Sequence, residues 1–296
     1  MKRIAVMTDI HLDTNSLTNK RDLYPDLLAS LNQLSYDILL LTGDLSNSSR
    51  TSVNIINKLK EDTGKTILFI PGNHDVTKHN QDSWDSYNLL KEHESSLIDK
   101  PYLMGNNHVI IGDMGWYDYS YAPETISKQV IKQRKKSLWD DAKYVKWGME
   151  DGEVLELILN KLRIQFDEHR DKTIIFANHF IPYNDFVTYS TDGEWNLCNA
   201  FMGSKKIGEL INEYSNIKYV LFGHTHRRFG LVQDYKNKTF LCNPVGYTHE
   251  WNSEDARNEF LNCINIIEIW NGQYLFLWMD TAFICTWKFS HDIELT

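Results

Sequence analysis

Short apolar runs recur along the chain, and five of them end abruptly in residues that can bind a metal ion. Residues 4–7 run into Asp9-x-His11, residues 38–41 into Gly43-Asp44, and residues 67–70 into Gly72-Asn73-His74-Asp75. Residues 174–176 and 219–222 lead likewise into Asn178-His179 and Gly223-His224-Thr225-His226. Apolar runs bounded in this way read as buried strands. Each strand then delivers donors at its C-terminal end, where open α/β sheets place their binding sites. Such side chains are costly beside a core unless paired or bound to metal. Five in register therefore point to a metal site.

Between these runs the apolar spacing changes to that of helices, at 23–34, 51–60, 83–96, 154–166 and 203–214. The βαβαβ rhythm of the first part predicts a parallel or mixed sheet with covering helices. The later part predicts strands at 108–113, 229–234, 239–242, 263–270 and 274–279, with hairpin turns at Lys236-Asn237-Lys238 and Asn271-Gly272. The expected class is α/β, with two mixed β-sheets packed face to face and helices outside. No repeat or low-complexity linker divides the chain, so 1–296 is expected as one domain. Residues 115–152 break the rhythm. They are rich in Trp and Tyr and carry a basic run from Lys128 to Lys136. This stretch reads as an insertion or lid over the site, or as a helix packing its aromatics on the sheet edge. The basic run itself reads as a solvated helix face.

Composition narrows the setting. An apolar content of 42% over 296 residues fits a soluble globular protein. The apolar N-terminus breaks at Thr8-Asp9, too short for a secretory core or a membrane span, so the cytoplasm is expected and no membrane partner. Cys198, Cys242, Cys263 and Cys285 show no CxxC spacing and read as buried thiols. A net charge of −9 disfavours long nucleic acid as a partner. It leaves open a small phosphorylated molecule or a nucleotide, because the field in a metal site is set locally.

The candidate donors are Asp9, Asp44, His11, His179, His224, His226 and the amide oxygen of Asn73. Nitrogen and oxygen donors without thiolate suit Mn, Fe, Zn, Co or Ni better than calcium. Seven donors exceed what one tetrahedral ion needs, so two ions are expected. A carboxylate can bridge them and an imidazole nitrogen cannot. Two dications beside two carboxylates leave a local charge of about +2, suited to a phosphoryl group and an activated water. Residues two apart in Asp9-x-His11 and His224-x-His226 would project to one side if the strands continued. The glycines at 43, 72 and 223 would let the backbone turn beneath the ions.

The motifs DxH, GD, GNHD, a lone His and GHTH, in this order, resemble the calcineurin-like metallophosphoesterase superfamily over about residues 4–250. The resemblance implies a four-layer sandwich of two sheets with outer helices. It implies Asp9, His11 and His226 on one metal, Asn73, His179 and His224 on the other, and Asp44 between them. A metal-bound hydroxide would attack phosphorus in line, and His74 would be the acid that protonates the leaving oxygen or steadies the phosphoryl oxygens. One departure is informative. Where the protein phosphatase branch has GDxxDRG, this chain reads Gly43-Asp44-Leu45-Ser46-Asn47-Ser48. An Asn cannot supply the charge that would raise the pKa of a catalytic His. Shorter bacterial-type members, cyclic-nucleotide-phosphodiesterase-like ones among them, look more similar, and the stretch Gly115-Trp116-Tyr117-Asp118-Tyr119 is similar to a bacterial subgroup of phosphoesterases.

The function expected is therefore phosphomonoester or phosphodiester hydrolysis. A nuclease of the same type is the alternative, and would need a basic groove. A non-catalytic scaffold is disfavoured because every ligand and His74 are present. Asp75 is read as orienting His74 or the local turn, and His249 as a surface residue after Asn243-Pro244. His79, His93, His108, His169 and His291 are read as non-ligands.

Overall fold

The computed structural model describes residues 1–77, 82–191 and 193–270. Its strands are β1 (Lys2–Met7), β2 (Ile38–Thr42), β3 (Thr66–Ile70), β4 (Tyr102–Met104), β5 (His108–Gly112), β6 (Thr173–Ala177), β7 (Ile217–Leu221), β8 (Gly230–Tyr235), β9 (Lys238–Cys242) and β10 (Asn265–Ile269). They form a four-stranded sheet in the order β10-β1-β2-β3 and a six-stranded sheet in the order β4-β5-β6-β7-β9-β8. In the first, β1, β2 and β3 run parallel and β10 antiparallel; in the second, β5, β6, β7 and β9 run parallel and β4 and β8 antiparallel. This is the α/β architecture of two mixed sheets expected from the sequence.

The sheets face each other because both sides of the central strands are apolar, the mark of buried parallel strands. Alternate residues Ile4, Val6, Ile38, Leu40, Leu68 and Ile70 meet Ile110, Ile175, Tyr219, Leu221 and Leu241 between the sheets. The intervening residues Ala5, Leu39, Leu41, Ile67 and Phe69 face the outer helices. Each fully buried Leu, Ile or Phe contributes roughly 1.5–3 kcal/mol. That supply lets the loops at the strand ends adopt costly shapes.

The helices are α1 (Leu12–Thr18), α2 (Tyr24–Leu31), α3 (Ser49–Thr63), α4 (Ser83–Glu92), α5 (Lys128–Leu138), α6 (Asp141–Tyr144), α7 (Asp151–Glu168), α8 (Gly193–Cys198), α9 (Lys205–Asn212) and α10 (Ala256–Cys263). The expected helices and central strands are present, with ends moved by a few residues. The C-terminal part differs. The run read as one strand at 263–270 divides into the end of α10 and β10. Asp255 starts α10 by accepting hydrogen bonds from the N–H groups of Arg257 and Asn258. β10 then leaves the hairpin sheet and pairs with β1. Helix α1 was not anticipated, since its short polar sequence carries no apolar period. The strand expected at 274–279, the Asn271-Gly272 turn, Cys285, His79 and His291 lie outside the described residues.

In the stretch 115–152, Trp116, Tyr117 and Tyr121 are fully buried and join the main apolar core. Three residues of its basic run are engaged by acids: Lys132 with Glu150, Arg134 with Glu194, and Lys135 with Asp151. Cys242 and Cys263 are buried thiols as expected, whereas Cys198 is only half-buried. Among the described residues no helix is long and apolar enough to cross a membrane.

Candidate metal centre

Both sheets point the C-terminal ends of their parallel strands at one spot. β1 leads to Asp9 and His11, β2 to Asp44, β3 to Asn73 and His74, β6 to His179, and β7 to His224 and His226. All eight residues come together. Asp9, His11 and His226 form one donor triplet, Asp44, His179 and His224 another, and His11, Asp44 and His74 a third between them. Asp44 Oδ2 is central, at 3.3 Å from His179 Nε2, 3.8 Å from His11 Nε2 and 4.0 Å from His74 Nε2. Asn73 Oδ1 lies 3.3 Å from His179 Nε2.

The convergence does not arise from strand alternation. β1 stops at Met7 and β7 at Leu221. Asp9, His11, Asp44, His224 and His226 instead take left-handed backbone, with φ of 53°, 42°, 55°, 68° and 52°. Non-glycine residues held there cost on the order of 1–3 kcal/mol each and mark functional loops. Hydrogen bonds hold the loops in place: Asp9 N–H donates to Gly43 O, His11 N–H to Asp44 O, and Gly246 N–H to Asp9 O. Of the motif glycines, Gly43 turns the chain with φ of 101°. Gly72 answers a different need, because a Cβ there would sit 2.1 Å from Asp44 Oδ1. Gly72→Ala should therefore displace the Asp44 carboxylate and cost at least tenfold in metal affinity. Calorimetric titration with Mn2+ giving wild-type affinity would contradict this.

Three of the imidazoles are oriented from behind. His179 Nδ1–H donates to Thr42 O (3.0 Å), His226 Nδ1–H to Glu250 Oε2 (2.7 Å), and His224 Nε2–H to Phe201 O (3.2 Å). Each partner fixes the tautomer and leaves the other nitrogen, with its lone pair, facing the centre. His11 supplies the test of fit. Its Nε2 lies 3.0 Å from His226 Nε2, and its buried Nδ1 has no partner. Two lone-pair nitrogens facing each other, or an orphaned buried ring nitrogen, are both unfavourable. A cation accepting both Nε2 lone pairs removes the first conflict, so the donor set fits a metal.

The electrostatics agree. Burial alone would push the Asp44 carboxyl up, yet His179, His74 and His11 together hold it well below the usual carboxylate range. Burial would lower His179, but Asp44 carries it to about 9. A proton and a cation thus compete for His179 Nε2. Burial leaves Asp9 raised, even with His179 and His226 opposing.

Other residues take roles that spacing did not reveal. Asp75 does not touch the His74 ring; its carboxylate accepts from the N–H groups of Gly72, Asp44, Leu45 and Ser46 and from Ser52 Oγ. It thereby ties the β2 and β3 loops together. Burial and the Asp44 charge raise its pKa to about 6. Asn47 Oδ1 accepts from His74 Nδ1–H at 2.6 Å. Tyr247 lies tilted against His11 with ring centroids 4.5 Å apart and brings its hydroxyl 3.4 Å from His74 Nε2. His249 is exposed and stacks outside Tyr247. Asp141, Glu250 and Tyr247 follow no metal motif, and the Phe201 carbonyl is a backbone group that carries no sequence signal.

A family model described as Calcineurin-like phosphoesterase matches residues 2–228. The chain is 22% identical over 249 residues to a probable cyclic nucleotide phosphodiesterase of Coxiella burnetii, covering 82% of each. It is 19% identical over 196 residues to the 3',5'-cyclic adenosine monophosphate phosphodiesterase of Haemophilus influenzae, covering 65% of this chain and 55% of that protein. Among solved structures, the phosphopantetheinyl hydrolase of Mycobacterium tuberculosis superposes with a TM-score of 0.66 at 19% identity, over 86% of this chain and 93% of that one. That likeness is one of fold.

Proposed function

Since the chain belongs to the calcineurin-like phosphoesterase family, whose match spans residues 2–228, and is a hydrolase acting on phosphoester bonds, we propose that it cleaves a small phosphodiester, such as a cyclic nucleotide, at a centre of two transition-metal ions. Asp9, His11 and His226 would hold one ion, Asn73, His179 and His224 the other, with Asp44 between. The observation that carries this reading is the position of Asp44 Oδ2 between the donors of both groups. When bound, two such cations supply charge for the phosphoryl oxygens and lower the pKa of water toward neutrality.

The chain's own residues do the rest. His74 is anchored through Nδ1 on Asn47, so its Nε2 faces the centre and can meet the leaving oxygen. Tyr247 covers His11 and keeps water off that side of the ring. The diester preference draws on the named activities of the two sequence relatives. The ion pairs of Lys132, Arg134 and Lys135 remove much of the basic surface a nuclease would need. A cytoplasmic setting belongs to the same proposal.

The test is a panel of bis-p-nitrophenyl phosphate, p-nitrophenyl phosphate, cyclic nucleotides, dinucleotides and single-stranded DNA, assayed with Mn2+. Turnover of small diesters above monoesters and DNA is expected. Preferential cleavage of the monoester or of DNA would replace the substrate reading, and no turnover of anything would overturn the catalytic one.

A further inference from the structure

A hydrogen bond between Asn73 and Asp141 ties residues 115–152 to the metal centre. The two ends of the Asn73 amide are chemically unlike: Oδ1 carries lone pairs that a cation can use, whereas Nδ2 only donates hydrogen bonds. Here Nδ2 donates to Asp141 Oδ1 at 2.9 Å. Oδ1 is thereby turned inward, 3.3 Å from His179 Nε2. An ionised carboxylate can only accept, so Asp141 selects the nitrogen end of Asn73 and rejects the oxygen end.

Asp141 is itself fixed. Its Oδ2 accepts from Trp139 Nε1 at 2.9 Å and from the Tyr117 hydroxyl at 3.1 Å, and the residue is only 4% exposed. The same stretch backs a second donor. Trp139 meets the His224 ring edge-on at 5.8 Å and stacks at 5.4 Å on Phe201, whose carbonyl orients His224. On the other side of Asp44, the carboxylate behind His226 is Glu250, from a different loop. Each half of the centre thus has its own support.

We propose that Asp141 is a positioning residue for one cation only, the one held by Asn73, His179 and His224, because it locks the Asn73 amide with its oxygen inward. The proposal rests on the two-cation reading above and deepens it, giving the aromatic stretch the task of building half the centre.

Calorimetric titration of the full chain with Mn2+ tests it, with thermal unfolding in a chelator as the control for folding. Wild type should show two binding events. Asp141→Ala should weaken one of them about 10–100-fold and leave the other unchanged. The isosteric Asp141→Asn serves if the Ala variant does not fold. It should weaken the same event, because its amide cannot accept from Asn73, Trp139 and Tyr117 together. Asn73→Asp alone sets two carboxylates against each other and should lose that event too. Asn73→Asp combined with Asp141→Asn exchanges amide and carboxylate, and should restore it. A merely structural role for Asp141 predicts no such rescue. Two wild-type events in the Asp141 variants, equal weakening of both events, or failure of the exchange to restore binding would each overturn the proposal. A wild-type protein that takes up fewer than two cations overturns the two-cation reading instead.

Discussion

Asp44→Asn should abolish phosphoester hydrolysis, by about 10³-fold or more, and strip the protein of at least one cation. Asp44 Oδ2 is the atom that faces donors of both groups, while Oδ1 accepts from the His74 N–H at 2.9 Å. An amide in its place keeps the shape and one acceptor, but removes the charge between the cations and can turn an NH2 toward them. Charge stabilisation at such a centre amounts to several kcal/mol, and each 1.36 kcal/mol is a factor of about ten in rate. Loss of folding is not expected. The neighbouring Asp75 carboxyl is raised to about 6, first by burial and then by the Asp44 charge. Removing that charge relieves Asp75 but also takes away the partner that carries buried His179 to about 9, so thermal unfolding in chelator should be unchanged or shifted modestly downward, with the fold retained. Measured together, bound Mn and turnover of bis-p-nitrophenyl phosphate decide the matter. Two retained cations with near wild-type turnover would refute the central place given to Asp44.

His74→Ala should lower turnover by about 10²–10⁴-fold, the usual contribution of a positioned acid, with both cations retained. Its Nε2 stands farther from Asp44 Oδ2 than that of His179, at 4.0 Å against 3.3 Å, and its side chain is 25% exposed where His179 is fully buried. That placement suits a group that meets the substrate. The loss should be larger for alkyl leaving groups than for p-nitrophenolate, which departs with little protonation. His74 also completes a donor triplet with His11 and Asp44. Loss of a cation in the variant would therefore make His74 a ligand, and an unchanged rate would remove its acid role.

Much of this centre was legible in the sequence because strand and site are written in one pattern. An apolar run fixes a buried strand, and the abrupt change to Asp, His and Asn marks its end. The backbone of the ligand loops was not legible. Asp9, His11, His224 and His226 look like alternating strand residues, yet all four are left-handed, and bonds to Gly43 O, Asp44 O and the Asp9 carboxylate hold the first three in place. Asp141 sits in Trp139-Asp140-Asp141, which reads as an ordinary helix start, and only the fold places it against Asn73. Spacing offers Asp75 only His74 or its own turn as a partner, whereas four of its contacts reach residues 44, 45, 46 and 52. The passage of β10 to the other sheet is not legible because pairing partners so distant leave no trace in local spacing.

The separation of the donors along the chain also bears on the order of assembly. His11 and His226 touch at 3.0 Å although they stand 215 positions apart in the chain, and His179 rests on Thr42 across a separation of 137. Closing loops of that size costs chain entropy before any donor contact offsets it. A segment ending before His226 carries an incomplete pocket, and neither sheet alone contains the whole donor set. The pocket is thus expected to form late in folding. A cation that binds only the finished pocket gives no guidance to the growing chain; it acts as a seal, holding two docked sheets against opening.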